Sequence, residues 1–105
     1  MNLISTKELK NKLDNGKKVR LLMTYSKDIY DQMHIPGSEH YERNACQFME
    51  TLGEDEEVVV YCTNPLCFAS IQAYKELKSL GVDKIRRYAG GLMDWQSAGY
   101  SLAAA

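Results

Sequence analysis

The stretch Val58-Val59-Val60-Tyr61-Cys62, which runs directly into Thr63-Asn64-Pro65-Leu66-Cys67, decides the fold of this chain. Its apolar residues are continuous rather than alternating, and such runs are typical of parallel strands that are covered on both faces. Small and apolar residues then recur at helical spacing up to Gly81. They are Ala69, Ala73, Leu77 and Leu80. The pattern therefore predicts a strand that ends at Cys62, a short loop and a helix of about three turns.

Strands and helices alternate outward from this unit in both directions. Before the unit that contains Cys62, the pattern predicts a helix from Ser5 or Thr6 to Gly16, a strand over 19–25, and helices over 26–33 and about 43–52. After that unit, it predicts a strand over 85–88 and a helix over 92–98 that follows Gly90-Gly91. This alternation is typical of an α/β fold.

Length and composition limit the chain to one compact domain. Its 105 residues are 45% apolar and 26% charged, so we expect a single domain over residues 1–102. Residues 103–105 carry no packing signal, and we expect a disordered tail or a cloning remnant there. The 13 basic and 14 acidic residues are mixed along the chain and leave a net charge of -1. This balance argues against nucleic acid or a membrane as a partner and favours small molecules or proteins.

The sequence predicts a cytoplasmic protein. Residues 1–13 mix lysines and a glutamate with few apolar residues, unlike a signal peptide, and no apolar run approaches membrane-spanning length. In a reducing compartment, Cys46, Cys62 and Cys67 should be thiols. No cysteine pair has the short spacing of a zinc site, so we expect neither a metal nor an organic cofactor.

Cys62 is the candidate reactive residue, because it stands at the C-terminal end of the most apolar strand, where open α/β sheets form their sites. A tight loop that leads into a helix turns backbone N–H groups inward, and the helix N-terminus favours negative charge. Both effects would stabilise a thiolate or a persulfide at Cys62. The local sequence is equally compatible with a buried cysteine that only packs at the strand end.

Three motifs in order resemble the rhodanese-like family. They are His34-Ile35-Pro36-Gly37, the strand that ends at Cys62, and Tyr88-Ala89-Gly90-Gly91-Leu92-Met93-Asp94-Trp95. The resemblance implies a central parallel sheet flanked by helices on both faces, with Cys62 as the nucleophile. It also implies that loop amides cradle the terminal sulfur of a persulfide. The predicted substrate-binding loop comprises Thr63, Asn64, Pro65, Leu66, Cys67 and Phe68.

The reaction implied by this resemblance has two steps. The Cys62 thiolate attacks a sulfane sulfur to form a persulfide, and a thiol, cyanide or a sulfur-carrier protein then removes that sulfur. The partners would therefore be a small sulfane-sulfur donor and a thiol or protein acceptor. Many active family members end the loop in arginine, where this chain has Cys67. Without that bidentate anion-binding group, a polysulfide or persulfide should be a better donor than doubly charged thiosulfate.

Other positions leave alternatives open. An Asp-x-Arg charge pair of the family falls on Met23 and Tyr25, so we expect this pair to be missing. Cys67 either packs at the start of the helix or acts as a second thiol that attacks the Cys62 persulfide and forms a disulfide. We expect Cys46 to be a core thiol on an amphipathic helix, and His34 to be a hydrogen-bonded structural residue.

Two other functions compete with sulfur transfer. A rhodanese-like fold without the charge pair and the loop arginine could be a catalytically inactive binding or regulatory module. The second competing function is a dithiol redox protein that uses Cys62 and Cys67, which requires their two Cα atoms to lie within disulfide reach. A related phosphatase group needs a loop one residue longer that ends in arginine, which argues against dephosphorylation here.

Overall fold

The computed structural model describes residues 1–64 and 66–104, over which helices and strands alternate. The elements are α1 (Thr6–Asp14), β1 (Val19–Met23), α2 (Lys27–Gln32), β2 (Glu39–His40), α3 (Ala45–Thr51), β3 (Glu57–Tyr61), α4 (Ala69–Ser79), β4 (Ile85–Tyr88) and α5 (Gly91–Ser97). The predicted α/β class is confirmed.

The strands form one parallel sheet in the order β2-β1-β3-β4. The register pairs Met23 of β1 with Tyr61 of β3, and Tyr61 with Tyr88 of β4. The C-terminal ends of these three strands therefore lie side by side. Whatever follows them in sequence is gathered at one edge of the sheet, which is where α/β folds place their sites.

Helices cover both faces of the sheet, as the resemblance implies. On one face, α3 and α4 pack with the strand residues Leu22, Val58, Val60 and Ile85. On the other face, α1 and α5 pack with Leu21, Met23, Val59, Tyr61 and Tyr88, and α2 adds partly buried side chains. Successive β3 residues therefore face opposite cores, which explains why the run of valines is unbroken.

The sequence did not predict β2, and it misplaced several element boundaries, of which two are explained by the local backbone. β1 ends at Met23 rather than at residue 25, because the chain bends at Tyr25 and Ser26 already caps α2 by accepting from the Ile29 N–H. α3 begins at Ala45 rather than at Arg43, whose φ of 63° is left-handed and cannot belong to a helix.

The C-terminal segment differs from the expected disordered tail at Ala103. Its N–H donates to the His34 carbonyl at 2.8 Å, and its carbonyl accepts from the His34 N–H at 2.9 Å. Leu102 packs against the core on the α1 and α5 face. Ala104 is exposed, and Ala105 lies outside the described residues.

Candidate active site

Cys62 is the first residue after β3 and only 1% exposed. Its carbonyl accepts a hydrogen bond from the Leu92 N–H at 3.1 Å, and the Thr63 carbonyl accepts one from the Met93 N–H at 3.0 Å. Both donors belong to the first turn of α5. The backbone on which Cys62 stands is therefore held by α5 as well as by the sheet.

Gly91, the second residue of the Gly90-Gly91 pair, is the first residue of α5 and must be glycine for two reasons. Its φ is +60°, a conformation that side chains rarely adopt. A Cβ atom on Gly91 would also lie 2.3 Å from the Cys62 carbonyl oxygen and 3.0 Å from the Thr63 carbonyl carbon. Only glycine lets α5 approach the Cys62 backbone closely enough to make the two hydrogen bonds.

Tyr61 ties the strand before Cys62 to the turn at 34–37. Its hydroxyl accepts from the Ile35 N–H at 3.0 Å and is 2.8 Å from the Ser38 hydroxyl. Burial raises the pKa of Tyr61 to about 12, although these two hydrogen bonds oppose the shift. The His-Ile-Pro-Gly motif thus serves the site indirectly, since it anchors the residue next to Cys62.

Cys62 and Cys67 are joined by a disulfide in this structure, with their Cα atoms 6.3 Å apart. Asn64 closes the loop between them. Its side-chain Oδ1 accepts from the Leu66 N–H at 2.9 Å, and its carbonyl accepts from the Cys67 N–H at 3.2 Å. Two of the amides predicted to cradle a persulfide therefore already have acceptors in the disulfide form. Pro65 of the predicted loop lies outside the described residues.

A shallow groove of about 400 Å³ runs along this loop. It is lined by Tyr25, Thr63, Asn64, Leu66, Cys67 and Phe68. Leu66 is 86% exposed, Phe68 72% and Tyr25 47%, so the groove has apolar walls. None of these described lining residues carries a charge at neutral pH. Cys67 is partly exposed and lines the groove, whereas Cys62 is buried and is not among the lining residues.

The two residues at the positions of the family's charge pair, Met23 and Tyr25, lie in different environments. Met23 is fully buried in the core on the α1 and α5 face. Tyr25 lines the groove, and its carbonyl accepts a hydrogen bond from His40 Nε2 at 2.7 Å. In place of an acidic and a basic residue, the chain therefore has a methionine in the core and a tyrosine that lines the groove.

The comparisons with known proteins agree with this geometry. The model of the rhodanese-like domain family matches residues 5–98. The chain belongs to the rhodanese-like domain family. A rhodanese-like domain protein from Staphylococcus aureus superposes with a TM-score of 0.79 at 22% identity, covering 100% of this chain and 99% of that one. A thiosulfate sulfurtransferase from Pseudomonas aeruginosa gives a TM-score of 0.87 at 21% identity, over 99% of this chain and 20% of that one. At such identities, these likenesses describe the fold.

One curated relative is closer in sequence. The adenylyltransferase and sulfurtransferase uba4 of Ogataea parapolymorpha is 33% identical over 70 residues, which are 67% of this chain. That match spans only 18% of the relative's own length.

Sequence reasoning missed Arg87, a buried charged residue of β4 in the rhodanese-like domain. Its Nε donates to the Ser70 hydroxyl at 2.9 Å, and Ser70 lies in the first turn of α4, just beyond the loop. Burial lowers the pKa of the Arg87 guanidinium, which nevertheless remains charged. The only signal in the sequence was a pair of arginines within an otherwise apolar strand.

The prediction that Cys46 is a core thiol is wrong, because Cys46 is exposed. Helix α3 buries Ala45 and Phe48, and the residue after Ala45 turns about 100° away from that face. His34 is structural as predicted: its Nδ1 donates to the Tyr30 carbonyl at 2.6 Å, and its ring stacks on that tyrosine.

Neither a metal site nor a membrane span is found over the described ranges. No group of three or more histidine, cysteine, aspartate or glutamate residues in 1–64 and 66–104 is arranged to hold a metal ion. Within the same residues, no helix has the length and apolarity needed to cross a membrane.

Proposed function

We propose that this rhodanese-like domain is a sulfurtransferase in which Cys62 carries a sulfane sulfur as a persulfide. The observation that carries the proposal is the position of Cys62 on a backbone held by both the sheet and α5, at the start of a loop that leads into the eleven-residue helix α4. A helix N-terminus favours a nearby anion, and both the thiolate and the persulfide are anions. The sulfurtransferase names of two similar proteins also support it.

The groove favours a particular kind of sulfur donor. Thiosulfate carries two negative charges, and its binding calls for a cation such as the arginine that many relatives have at the end of the loop. Here Cys67 occupies that position, and the described groove residues are uncharged. We therefore propose a polysulfide or a small organic persulfide as the donor, because the sulfur chain of the first and the carbon atoms of the second can contact the apolar walls, unlike the compact oxygen-covered end of thiosulfate.

In the proposed reaction, the reduced Cys62 thiolate attacks the outer sulfur of the donor. A bond forms between Cys62 Sγ and that sulfur, the donor's own sulfur–sulfur bond breaks, and the donor leaves as a thiolate with the electron pair. A thiol, cyanide or a sulfur-carrier protein then attacks the terminal sulfur and restores the Cys62 thiolate. We place this chemistry in the cytoplasm, where thiols keep the disulfide reducible.

The test uses the Cys67→Ser variant, in which the disulfide cannot form. The reduced, desalted variant is mixed with polysulfide or with thiosulfate, and its intact mass is recorded. We expect a gain of one sulfur atom with polysulfide, mapped by peptide sequencing to Cys62 and removed by cyanide as thiocyanate. We expect much less with thiosulfate. The matched control is Cys62→Ser/Cys67→Ser, which retains only Cys46, an exposed thiol outside the site.

Two other results would reject the proposal. No adduct with either donor, together with alkylation of Cys62 no faster than of Cys46, would leave a catalytically inactive binding or regulatory module. The disulfide itself favours a second candidate, a dithiol redox protein. That function predicts reversible loss of two hydrogens between Cys62 and Cys67 in the wild-type chain, with no sulfur gained by either variant.

A further inference from the structure

The two sulfur atoms of the loop lie where one can react with the other. The disulfide forms across a Cα–Cα distance of 6.3 Å, which lies within the usual range for such bonds. From this juxtaposition, and resting on the proposed function, we propose that Cys67 is a second catalytic thiol. It discharges the Cys62 persulfide within the same chain and releases the carried sulfur as hydrosulfide.

The turn that positions Cys67 has hydrogen bonds of its own in addition to the disulfide. Asn64 accepts from the Leu66 N–H through its side chain and from the Cys67 N–H through its carbonyl, a short-range pattern that asparagine commonly forms in turns. At the other end of the loop, α5 holds the carbonyls of Cys62 and Thr63. Since hydrogen bonds hold both ends of the loop, we expect the two cysteines to remain neighbours when the chain is reduced.

The proposed step balances without any group from outside the chain. The Cys67 thiolate attacks Sγ of the Cys62 persulfide, and the Cys62–Cys67 bond forms. The bond between Cys62 Sγ and the carried sulfur breaks, and hydrosulfide leaves with that electron pair. The carried sulfur gains two electrons, and the two cysteines together lose two. The product is the disulfide seen in the structure.

The exposure of the two cysteines determines which sulfur of the disulfide an external thiol attacks first. Thiol–disulfide exchange depends on which sulfur the incoming thiol can reach. Cys67 is partly exposed along the groove, whereas Cys62 is 1% exposed. An external thiol therefore attacks Cys67 Sγ, and Cys62 leaves as the thiolate that starts the next cycle. A second thiol then frees Cys67. One donor persulfide and two thiols thus yield one hydrosulfide, one external disulfide and the donor thiol.

The experiment follows a single turnover. Reduced wild-type protein and the Cys67→Ser variant are each mixed with less than one equivalent of glutathione persulfide, so that the glutathione released by the transfer itself is the one added thiol and stays below the protein concentration. Free sulfide is measured over time, and intact mass is recorded after acid quenching. We expect the wild type to release sulfide and lose two hydrogens. We expect the variant to keep its added sulfur and to release sulfide at least about tenfold more slowly until an excess of thiol is added.

Controls separate this inference from the proposed function. Cys46→Ser should behave as the wild type, since Cys46 lies on the outer face of α3. Cys67→Ala replaces the serine variant if that protein folds poorly. Equal rates of sulfide release from wild type and variant, with a stable persulfide on both, would overturn the role of Cys67 and leave the proposed function standing. Failure of the Cys67→Ser variant to take up any sulfur would instead remove the proposed function, and this inference with it.

Discussion

At the residue scale, Gly91 and Gly99 share a left-handed backbone conformation but differ in their surroundings. Their φ angles are +60° and +86°. A Cβ atom on Gly91 would collide with the Cys62 backbone, whereas one on Gly99 would meet nothing within 4 Å. Alanine variants at these two positions therefore separate the free-energy cost of a left-handed alanine from the additional cost of displacing α5 from the site.

Gly99→Ala should lower the free energy of unfolding by about 1 kcal/mol, the ordinary cost of a left-handed residue with a side chain. Gly91→Ala should lower it by at least about 3 kcal/mol, because a backbone oxygen cannot move aside as a flexible side chain can. Urea denaturation of both reduced variants at pH 7 measures the difference. Equal losses would mean that α5 does not approach Cys62 as closely as the structure indicates.

The position of Cys62 and the loop that follows it could be predicted from the sequence, but Tyr25 as a groove residue and the state of Cys67 could not. The end of an apolar strand before a helix is fixed by chain order alone, and this places Cys62 at the edge of the sheet. Tyr25 reaches the groove only because the register pairs Met23 with Tyr61, and a single sequence does not reveal that register. The disulfide to Cys67 likewise depends on the shape of the loop.

At the element scale, α4 is fastened to β4 by a buried polar contact near the loop. Arg87 Nε donates to the hydroxyl of Ser70, which is almost fully buried in the first turn of the helix. Burying a charged donor is costly unless it has hydrogen-bond acceptors, so this contact favours one placement of the helix start relative to the sheet. Ser79 provides a comparison. It lies in the last turn of the same helix, and its hydroxyl donates an exposed hydrogen bond to the Glu76 carbonyl.

Ser70→Ala should lower the free energy of unfolding by about 1–3 kcal/mol, because Arg87 Nε loses this acceptor inside the protein. Ser79→Ala should change it by no more than about 0.5 kcal/mol, as is usual for surface positions. Thermal and urea unfolding of the two variants provide the measurement. A Ser70→Ala protein as stable as Ser79→Ala would show that the contact contributes nothing to holding α4.

The strands that carry apolar side chains of their own were predicted from the sequence, and the strand that carries none was not. The strand predicted over 85–88 is β4 without change, and β3 differs from its prediction by one residue at each end. The two residues of β2 carry no apolar run of their own. They form a strand only because they pair with Leu22 and Met23, so their conformation is imposed by the sheet rather than by local preference.

At the scale of the whole molecule, burial of tyrosine hydroxyls makes the free energy of unfolding depend on pH in the alkaline range. Burial raises the pKa of Tyr61 to about 12, and it also raises the pKa of Tyr88. The pKa of Tyr41 is raised by burial and by the hydrogen bond that its hydroxyl donates to Glu76. These tyrosines lie on both faces of the sheet, so their ionisation would disturb both cores.

The sign of the effect follows from proton binding. In the unfolded chain, a tyrosine loses its proton near its ordinary pKa of about 10, whereas the folded chain holds the Tyr61 proton to about 12. Between these values the unfolded state binds fewer protons, so stability falls as pH rises. The contribution of Tyr61 is fully present below pH 10 and is lost as the pH approaches its folded pKa.

We therefore expect the free energy of unfolding to fall by up to about 3 kcal/mol from Tyr61 alone between pH 10 and 12, since each unit of pKa shift corresponds to about 1.4 kcal/mol. Urea unfolding followed by circular dichroism at several pH values measures this slope. Tyr61→Phe is the control. It should be less stable at pH 7 by about 1–2 kcal/mol, because Ile35 N–H and the Ser38 hydroxyl lose their partner. Its stability should nevertheless decline less steeply above pH 10, and a slope as steep as that of the wild type would contradict the assignment to Tyr61.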